Sequence, residues 1–359
     1  MKISIVRSAL FCCVCLNSVS ITDAQSVNPR RMIDSWVLSR GLYNGKAIGL
    51  NLETGSLHYV SDGKRVEVKP LLVAKYRLGS RMFASGKHIW VLAAGKTLNQ
   101  WDGTKWIEHD IVLKGFYGVN NASNGIAVST VTQHGPHLLW IPKGSNKPQL
   151  FPSIEPPKLG DNFGFVRRNA GWIRIQFGTN VATRDTVDIS NSVKNNGREY
   201  TFFGGIGKTL LYYGASFMLQ KVPNGRTSLI RGKYLTPTGG DGSLFSSERT
   251  VYAANAAGEK VLVIANAKGT SKLVPFNRLV DRERQRIFTS SNGDIIIVSW
   301  TLDSPLAEAW RYSMKAGSLM MVQQLPVPDT WEAITLAGDR FYIAKDQKIM
   351  SRPLVSKRK

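Results

Sequence analysis

Cysteine is confined to the start of this 359-residue chain, at Cys12, Cys13 and Cys15. If those residues leave with a signal peptide, the remaining chain has no thiol. That excludes disulfides, nucleophilic cysteine chemistry and thiolate metal sites from the mature protein. We therefore expect an apolar core alone to stabilise the fold.

The first residues have the layout of a secretory signal peptide. Lys2 and Arg7 precede an apolar stretch that is too short to span a membrane, and small residues follow up to Ala24. This layout predicts a signal peptide over 1–24 and one mature domain over 25–359. We expect a secreted or periplasmic protein without a transmembrane segment in its mature chain.

Acidic residues are also few. The chain has 25 Asp and Glu against 47 Lys and Arg, which gives a formal net charge of +22 and a pI near 10.0. Such an excess steers polyanions towards the protein surface. It predicts an anionic polysaccharide, an envelope component or an acidic protein as the partner, and the alternative is that the charge only keeps the protein soluble.

The most informative feature is a repeat. The segment 81–111 contains short runs of β-branched and aromatic residues separated by Ser-Gly, Ala-Gly-Lys and Asp-Gly turns, which is the pattern of consecutive hairpins. Related segments begin at Gly45, Gly118, Phe165, Phe202, Leu244, Ile287 and Ala333. A period of roughly 42 residues is typical of propeller blades. The sequence predicts an all-β fold, a single β-propeller of eight four-stranded blades, with seven as the alternative.

The last copy supplies only about three strands. A ring leaves no open sheet edge when its first and last blades meet. We therefore expect residues 36–40, an isolated apolar β-run near the start of the chain, to provide the missing outer strand of the final blade.

One stretch resembles a known family. The segment 86–106, GKHIWVLAAGKTLNQWDGTKW, is similar to the propeller repeats of periplasmic two-component sensor domains. The resemblance implies the propeller architecture. Those sensors continue into a membrane helix and a kinase, and this sequence has neither, so signalling by that route is not implied.

Propellers usually bind ligands where loops and inner strands converge at the mouth of the channel. Arginine and lysine at the first strand or turn of several copies would suit a sulfate, carboxylate or phosphate group there. The candidates for ligand binding are Arg81, Arg167, Arg168, Lys208 and Arg249. The alternative is that they point into solvent from ordinary turns.

No cofactor or metal motif is evident, because His134 and His137 have no third ligand nearby and no nucleotide-binding fingerprint occurs. The main hypothesis is a non-enzymatic binding or scaffold protein. The alternative is a polysaccharide lyase acting on uronate-containing polymers, with His88, His109 or His134 as the base and Arg167 and Arg168 neutralising the carboxylate. A subunit of an assembly with an acidic partner is a third possibility.

Overall fold

The computed structural model describes residues 36–355 except for 53, 67–79, 123, 146, 161–162, 180, 207–208, 215–216, 222–225, 231–235, 238–242, 246–248, 257–258, 267–270, 276–283, 302–303, 331 and 347. All regular structure in this part of the chain is β-strand. A search of the same residues finds no helix with the length and apolarity needed to cross a bilayer.

Antiparallel pairing joins the described strands into seven sheets, numbered in chain order. Sheet 1 contains β1 (Trp36–Leu38), β2 (Ile48–Asn51) and β3 (Leu57–Tyr59). Sheet 2 contains β4 (Arg81–Ser85), β5 (His88–Leu92), β6 (Lys96–Trp101), β7 (Trp106–Ala122), β8 (Gly125–Thr132), β9 (Gly135–Pro142) and β10 (Gln149–Pro152). Sheet 3 contains β11 (Lys158–Leu159), β12 (Phe163–Arg168), β13 (Gly171–Phe177) and β14 (Ala182–Ile189).

The second half of the chain continues in the same way. Sheet 4 contains β15 (Ser192–Asn195), β16 (Arg198–Ile206), β17 (Thr209–Gly214), β18 (Phe217–Lys221) and β19 (Thr227–Ile230). Sheet 5 contains β20 (Thr236–Pro237), β21 (Ser243–Phe245), β22 (Arg249–Ala256), β23 (Glu259–Asn266) and β24 (Ser271–Pro275). Sheet 6 contains β25 (Arg284–Thr289), β26 (Ile295–Trp300), β27 (Leu306–Ser313) and β28 (Ser318–Pro326). Sheet 7 contains β29 (Ile334–Ala337), β30 (Arg340–Lys345) and β31 (Lys348–Pro353).

The turns of the predicted repeat are confirmed. Gly86, Gly95 and Gly103 separate β4, β5, β6 and β7, and all three have positive φ angles, which suits a residue without a Cβ atom. The carboxylate of Asp102 closes the last of these turns. Hydrogen bonds from the Lys105 amide and from the hydroxyl and amide of Thr104 lower the pKa of Asp102 to about 2.

Strand β7 runs without a break through two four-stranded halves of sheet 2. Its first part pairs with β6 and its second part pairs with β8, with register shifts between Leu113 and Gly115 and between Phe116 and Gly118. Such bulges bend a strand and increase its twist. The outer strand of one half is thereby continuous with the first strand of the next half.

Apolar clusters join successive sheets face to face. The two halves of sheet 2 share one such cluster, and sheet 2 shares others with sheet 1 and with sheet 3. Sheets 3 and 4, 5 and 6, and 6 and 7 each share a cluster, and β16 of sheet 4 lies beside β22 of sheet 5. Aromatic pairs at these interfaces include Trp140 with Phe177, Phe165 with Phe202, and Phe288 with Phe341.

Sheet 7 contacts sheet 1, so the two ends of the described chain meet. Leu38 packs in one cluster with Ala333 and Ala344, and its amide donates a hydrogen bond of 2.9 Å to the carbonyl oxygen of Glu332. The predicted role of residues 36–40 is nevertheless wrong. β1 pairs along its length with β2, from Trp36 opposite Asn51 onwards, so this segment is the first strand of sheet 1. On its other side it contacts the segment before β29 through the Leu38–Glu332 hydrogen bond.

Candidate functional site

Three arginines and one glutamate meet where the first strands of neighbouring sheets converge. Arg81 begins β4, Arg286 lies within β25, Arg40 follows β1 by two residues, and Glu332 precedes β29 by two residues. The distances to the Glu332 carboxylate oxygens are 3.2 Å from Arg40 Nη2, 3.4 Å from Arg81 Nε and 3.1 Å from Arg286 Nη1. One carboxylate therefore links sheets 1, 2, 6 and 7.

This arginine–glutamate cluster is largely shielded from solvent. The side chains of Glu332 and Arg286 are 6% and 3% exposed, and those of Arg40 and Arg81 are 12% and 16% exposed. Removing charges from water costs several kcal/mol for each ion unless partners compensate, so this geometry depends on all four groups. Each guanidinium also lies over an aromatic ring, at 5.8, 5.4 and 5.6 Å from the centroids of Phe83, Phe116 and Phe288.

A cleft of about 450 Å³ opens beside Arg40. Its floor is buried and apolar, with Trp90, Ile126 and Ile141, and its rim carries the exposed side chains of Leu42 and Lys143. The described lining residues include two basic side chains and no acidic one. The cleft is bounded by the loop that follows β1, by the β4–β5 turn and by the ends of β8 and β9.

A second basic group lies at the end of β12. Arg167 Nε is 3.4 Å from the exposed carboxylate of Glu155, and its Nη1 donates to the carbonyl oxygen of Arg168. Lys158 Nζ lies 5.7 Å from the ring centroid of Trp172, the residue that pairs with Arg167 across the strands. Burial lowers the pKa of Lys158, and the nearby charge of Glu155 opposes that shift.

The predicted ligand residues are thus placed in different surroundings. Arg81 belongs to the arginine–glutamate cluster, whereas Arg167 and Arg168 belong to the group around Trp172. Arg249 begins β22. Lys208 lies outside the described residues. Arg40, Arg286, Glu332 and Lys143 were not among the candidates. Arg81 and Arg286 begin matching segments of the repeat, Arg-Met-Phe (81–83) and Arg-Ile-Phe (286–288). This match is the sequence signal that could have identified Arg286.

Two histidines of sheet 2 meet across a buried amide. Gln100 Nε2 is 2.9 Å from His88 Nδ1, and Gln100 Oε1 is 3.0 Å from His109 Nε2. The His109 ring stacks on Trp90 with 5.2 Å between centroids. Burial lowers the pKa of both imidazoles, and for His88 the charge of Asp102 opposes that shift. These contacts do not include Arg167 or Arg168, the arginines with which the lyase hypothesis combines them.

Potential metal ligands are dispersed. Within the described ranges, no group of three or more His, Cys, Asp or Glu side chains is arranged to hold a metal ion. His137 Nδ1 instead lies 3.1 Å from the Thr132 hydroxyl and 2.9 Å from the carbonyl oxygen of Gly135.

Short antiparallel sheets that stack face to face in chain order define a β-propeller repeat protein. Neither a protein-family model nor a curated protein matches the sequence.

Similar solved structures share little sequence with this chain. Hsv2 from Kluyveromyces lactis is 12% identical, with 82% of this chain and 100% of that chain covered and a TM-score of 0.46. Apo AztD from Citrobacter koseri is 12% identical, with coverage of 82% and 86% and a TM-score of 0.45. Virginiamycin B lyase from Staphylococcus aureus is 10% identical, with coverage of 66% and 94% and a TM-score of 0.32.

Proposed function

We propose that the chain forms a single closed β-propeller of eight blades. Sheet 2 supplies two blades through its halves, and each of the other six sheets supplies one. The apolar contact between sheets 1 and 7 supports closure, as does the hydrogen bond from Leu38 to Glu332. The continuous β7 supports the assignment of sheet 2 to two blades, because an outer strand normally leads into the first strand of the next blade.

We further propose that this propeller is an exported, non-catalytic binding or scaffold protein that recognises an anionic partner. The observation that carries the proposal is the excess of positive charge, since the chain has 47 basic and 25 acidic residues. A field of that sign accelerates encounter with polyanions and is screened by salt. Acidic polysaccharides, acidic envelope components and acidic proteins all fit this description.

The basic group at the end of β12 is the proposed contact on the surface. Arg168 is partly exposed there, and Arg167 is oriented by Glu155 and by the carbonyl oxygen of Arg168. Arginine presents several donors in a fixed plane, which suits carboxylate and sulfate groups. Lys208 and Arg249 remain proposed contributors to the binding of the anionic partner. Arg81 would contribute to it from the arginine–glutamate cluster, where it lies beside Glu332.

The test is retention on immobilised heparin in a salt gradient. We expect the wild type to be retained well above physiological salt and the double variant Arg167→Ala/Arg168→Ala to elute earlier. The number of counterions released on binding, measured from the salt dependence, should fall by about two in the double variant, one for each lost contact. The matched control is Arg340→Ala/Arg352→Ala, which removes two exposed charges from sheet 7.

Each result has a distinct meaning. Equal shifts for the two double variants would reject the β12 site and leave a diffuse charge effect. Elution of the wild type at low salt would reject recognition of anionic polymers altogether.

A further inference from the structure

The outer edge of sheet 7 is open. β31 is the last of three strands in this sheet, whereas sheets 3 and 6 have four. Among the residues that the structure describes, no strand pairs with the side of β31 that faces away from β30. An unpaired edge presents a row of backbone donors and acceptors to which another strand can bind.

The peptide groups at this edge follow from the ladder. The amide of Ala344 in β30 donates to the carbonyl oxygen of Ala333, so the peptide groups of Ala344 face β29. Ile349 lies opposite Ala344 in the antiparallel pair, and its own peptide groups therefore face away from β30. Alternation along the strand gives Ser351 the same orientation. The open edge thus offers the amide and carbonyl groups of Ile349 and Ser351.

The start of β1 is anchored beside this edge. Trp36 and Ile349 both pack against the apolar cluster that contains Leu38 and Ala344. Leu38 also bonds to the carbonyl oxygen of Glu332, which lies at the end of sheet 7 where β31 begins. A strand that leaves the open edge at this end and continues into β1 must run antiparallel to β31, as β30 does.

The chain that precedes β1 is long enough to reach the edge. Residues 25–34 lie outside the described part of the chain. An extended strand rises about 3.3 Å per residue, so these residues can match the six residues of β31 and still connect to Trp36.

The other terminus is directed away from the open edge. The amide of Leu354 donates to the carbonyl oxygen of Asp339, and that of Val355 donates to the side chain of Gln323 in β28. Both bonds hold the chain at the far end of sheet 7, next to sheet 6. Only residues 356–359 follow, which is too few to cover β31.

The composition of residues 25–34 suits an outermost strand. Val27, Met32 and Ile33 supply apolar side chains. Pro29 lacks an amide donor, and proline is tolerated in an edge strand because only one side of that strand needs to bond. A tethered segment is also present at an effective concentration on the order of millimolar, so it should occupy the edge ahead of a second copy of the chain.

We propose that a strand formed within residues 25–34 pairs antiparallel with the outer edge of β31 and completes sheet 7. The role predicted for residues 36–40 thus falls to the segment immediately before them. The inference goes beyond the proposed function, because it depends on the contact between sheets 1 and 7 but neither on the number of blades nor on an anionic partner.

Hydrogen exchange at individual amides is the first test. The chain from Gln25 is compared with a chain from Ser35, and both contain every described residue. We expect the amides of Ile349 and Ser351 to exchange at least about tenfold faster in the shorter chain, because they lose their partners. Met350 is the internal control, since its amide faces β30, and its exchange should change less. Unchanged exchange at Ile349 and Ser351 would overturn the proposal.

Disulfide trapping is the second test, and it does not require the shorter chain to fold. The chain from Gln25 has no cysteine, so Ser351→Cys on β31 can be combined with one cysteine at each of positions 26–33 in turn. Residues opposite each other in a strand pair have Cβ atoms about 5 Å apart, close enough for a disulfide after a small adjustment. We expect an intramolecular disulfide at one position or at positions two apart. Thr227→Cys, exposed on the edge strand β19 of sheet 4, is the matched control.

Two outcomes of the trapping would contradict the pairing. Equal disulfide yields with Ser351→Cys and Thr227→Cys at all positions would show no preference for β31. Disulfides between chains, together with a dimer in light scattering, would assign the edge to a second copy. Neither readout depends on heparin retention, so the failure of one proposal leaves the other standing.

Discussion

Glu332 illustrates what a single residue does in this fold. Its carboxylate forms ion pairs with three arginines from other parts of the chain, and one of them, Arg40, lies 292 residues away. Sequence reasoning selected Arg81 by its place in the repeat. It could not find Glu332, because an isolated carboxylate before the last repeat has no local pattern that distinguishes it from a turn residue.

We predict that Glu332→Gln lowers the free energy of unfolding by about 3 kcal/mol, because it leaves buried guanidinium groups without their carboxylate. The measurement is urea unfolding followed by circular dichroism. Glu155→Gln is the control, as its carboxylate also pairs with an arginine but is 55% exposed, and it should cost less than about 1 kcal/mol. Equal losses in the two variants would show that the cluster contributes no more than a surface pair.

At the scale of elements, the loop after β1 is the part that the repeat pattern did not predict. Arg40 and Tyr43 form parallel bridges with Phe83 and Gly86, so the loop acts as an irregular extra strand along β4. Gly41 permits this approach. Its φ is +85°, and a Cβ atom there would overlap the carbonyl oxygen of Ala84.

Two glycine variants in this loop separate backbone strain from steric overlap. Gly45 has a similar φ of +76°, yet a Cβ atom there would meet no atom within 4 Å. We expect Gly45→Ala to cost about 1 kcal/mol for the left-handed backbone alone. Gly41→Ala should cost about 2 kcal/mol more, because the overlap adds to the strain. Thermal unfolding measures both, and equal midpoints would contradict the close approach.

For the molecule as a whole, the decisive feature is that sheets pack in chain order and the last packs on the first. A stack with free ends could lose its terminal sheets separately, whereas a closed ring should unfold as one unit. The contact of Leu38 with Ala333 and Ala344 lies at this junction.

Leu38→Ala tests closure. Leu38 is 1% exposed, so its truncation should cost about 3 kcal/mol, and in a ring it should shift one common transition. Tryptophan fluorescence and far-ultraviolet circular dichroism should then give coincident curves at a lower midpoint. Leu306→Ala, at an exposed position of β27, should leave the midpoint nearly unchanged. A separate early transition in Leu38→Ala would indicate an open stack instead.

The sequence by itself determined the all-β class and the turns of the repeat over residues 81–111. These features depend on residues only a few positions apart, as in the Asp102–Gly103 turn between β6 and β7. The local sequence is therefore enough to predict them. Only the tertiary structure decided that residues 36–40 begin the first sheet, that Arg81 shares Glu332 with Arg40 and Arg286, and that a cleft lies beside Lys143. Those features join residues far apart in the chain, and the packing of sheets against one another brings them together.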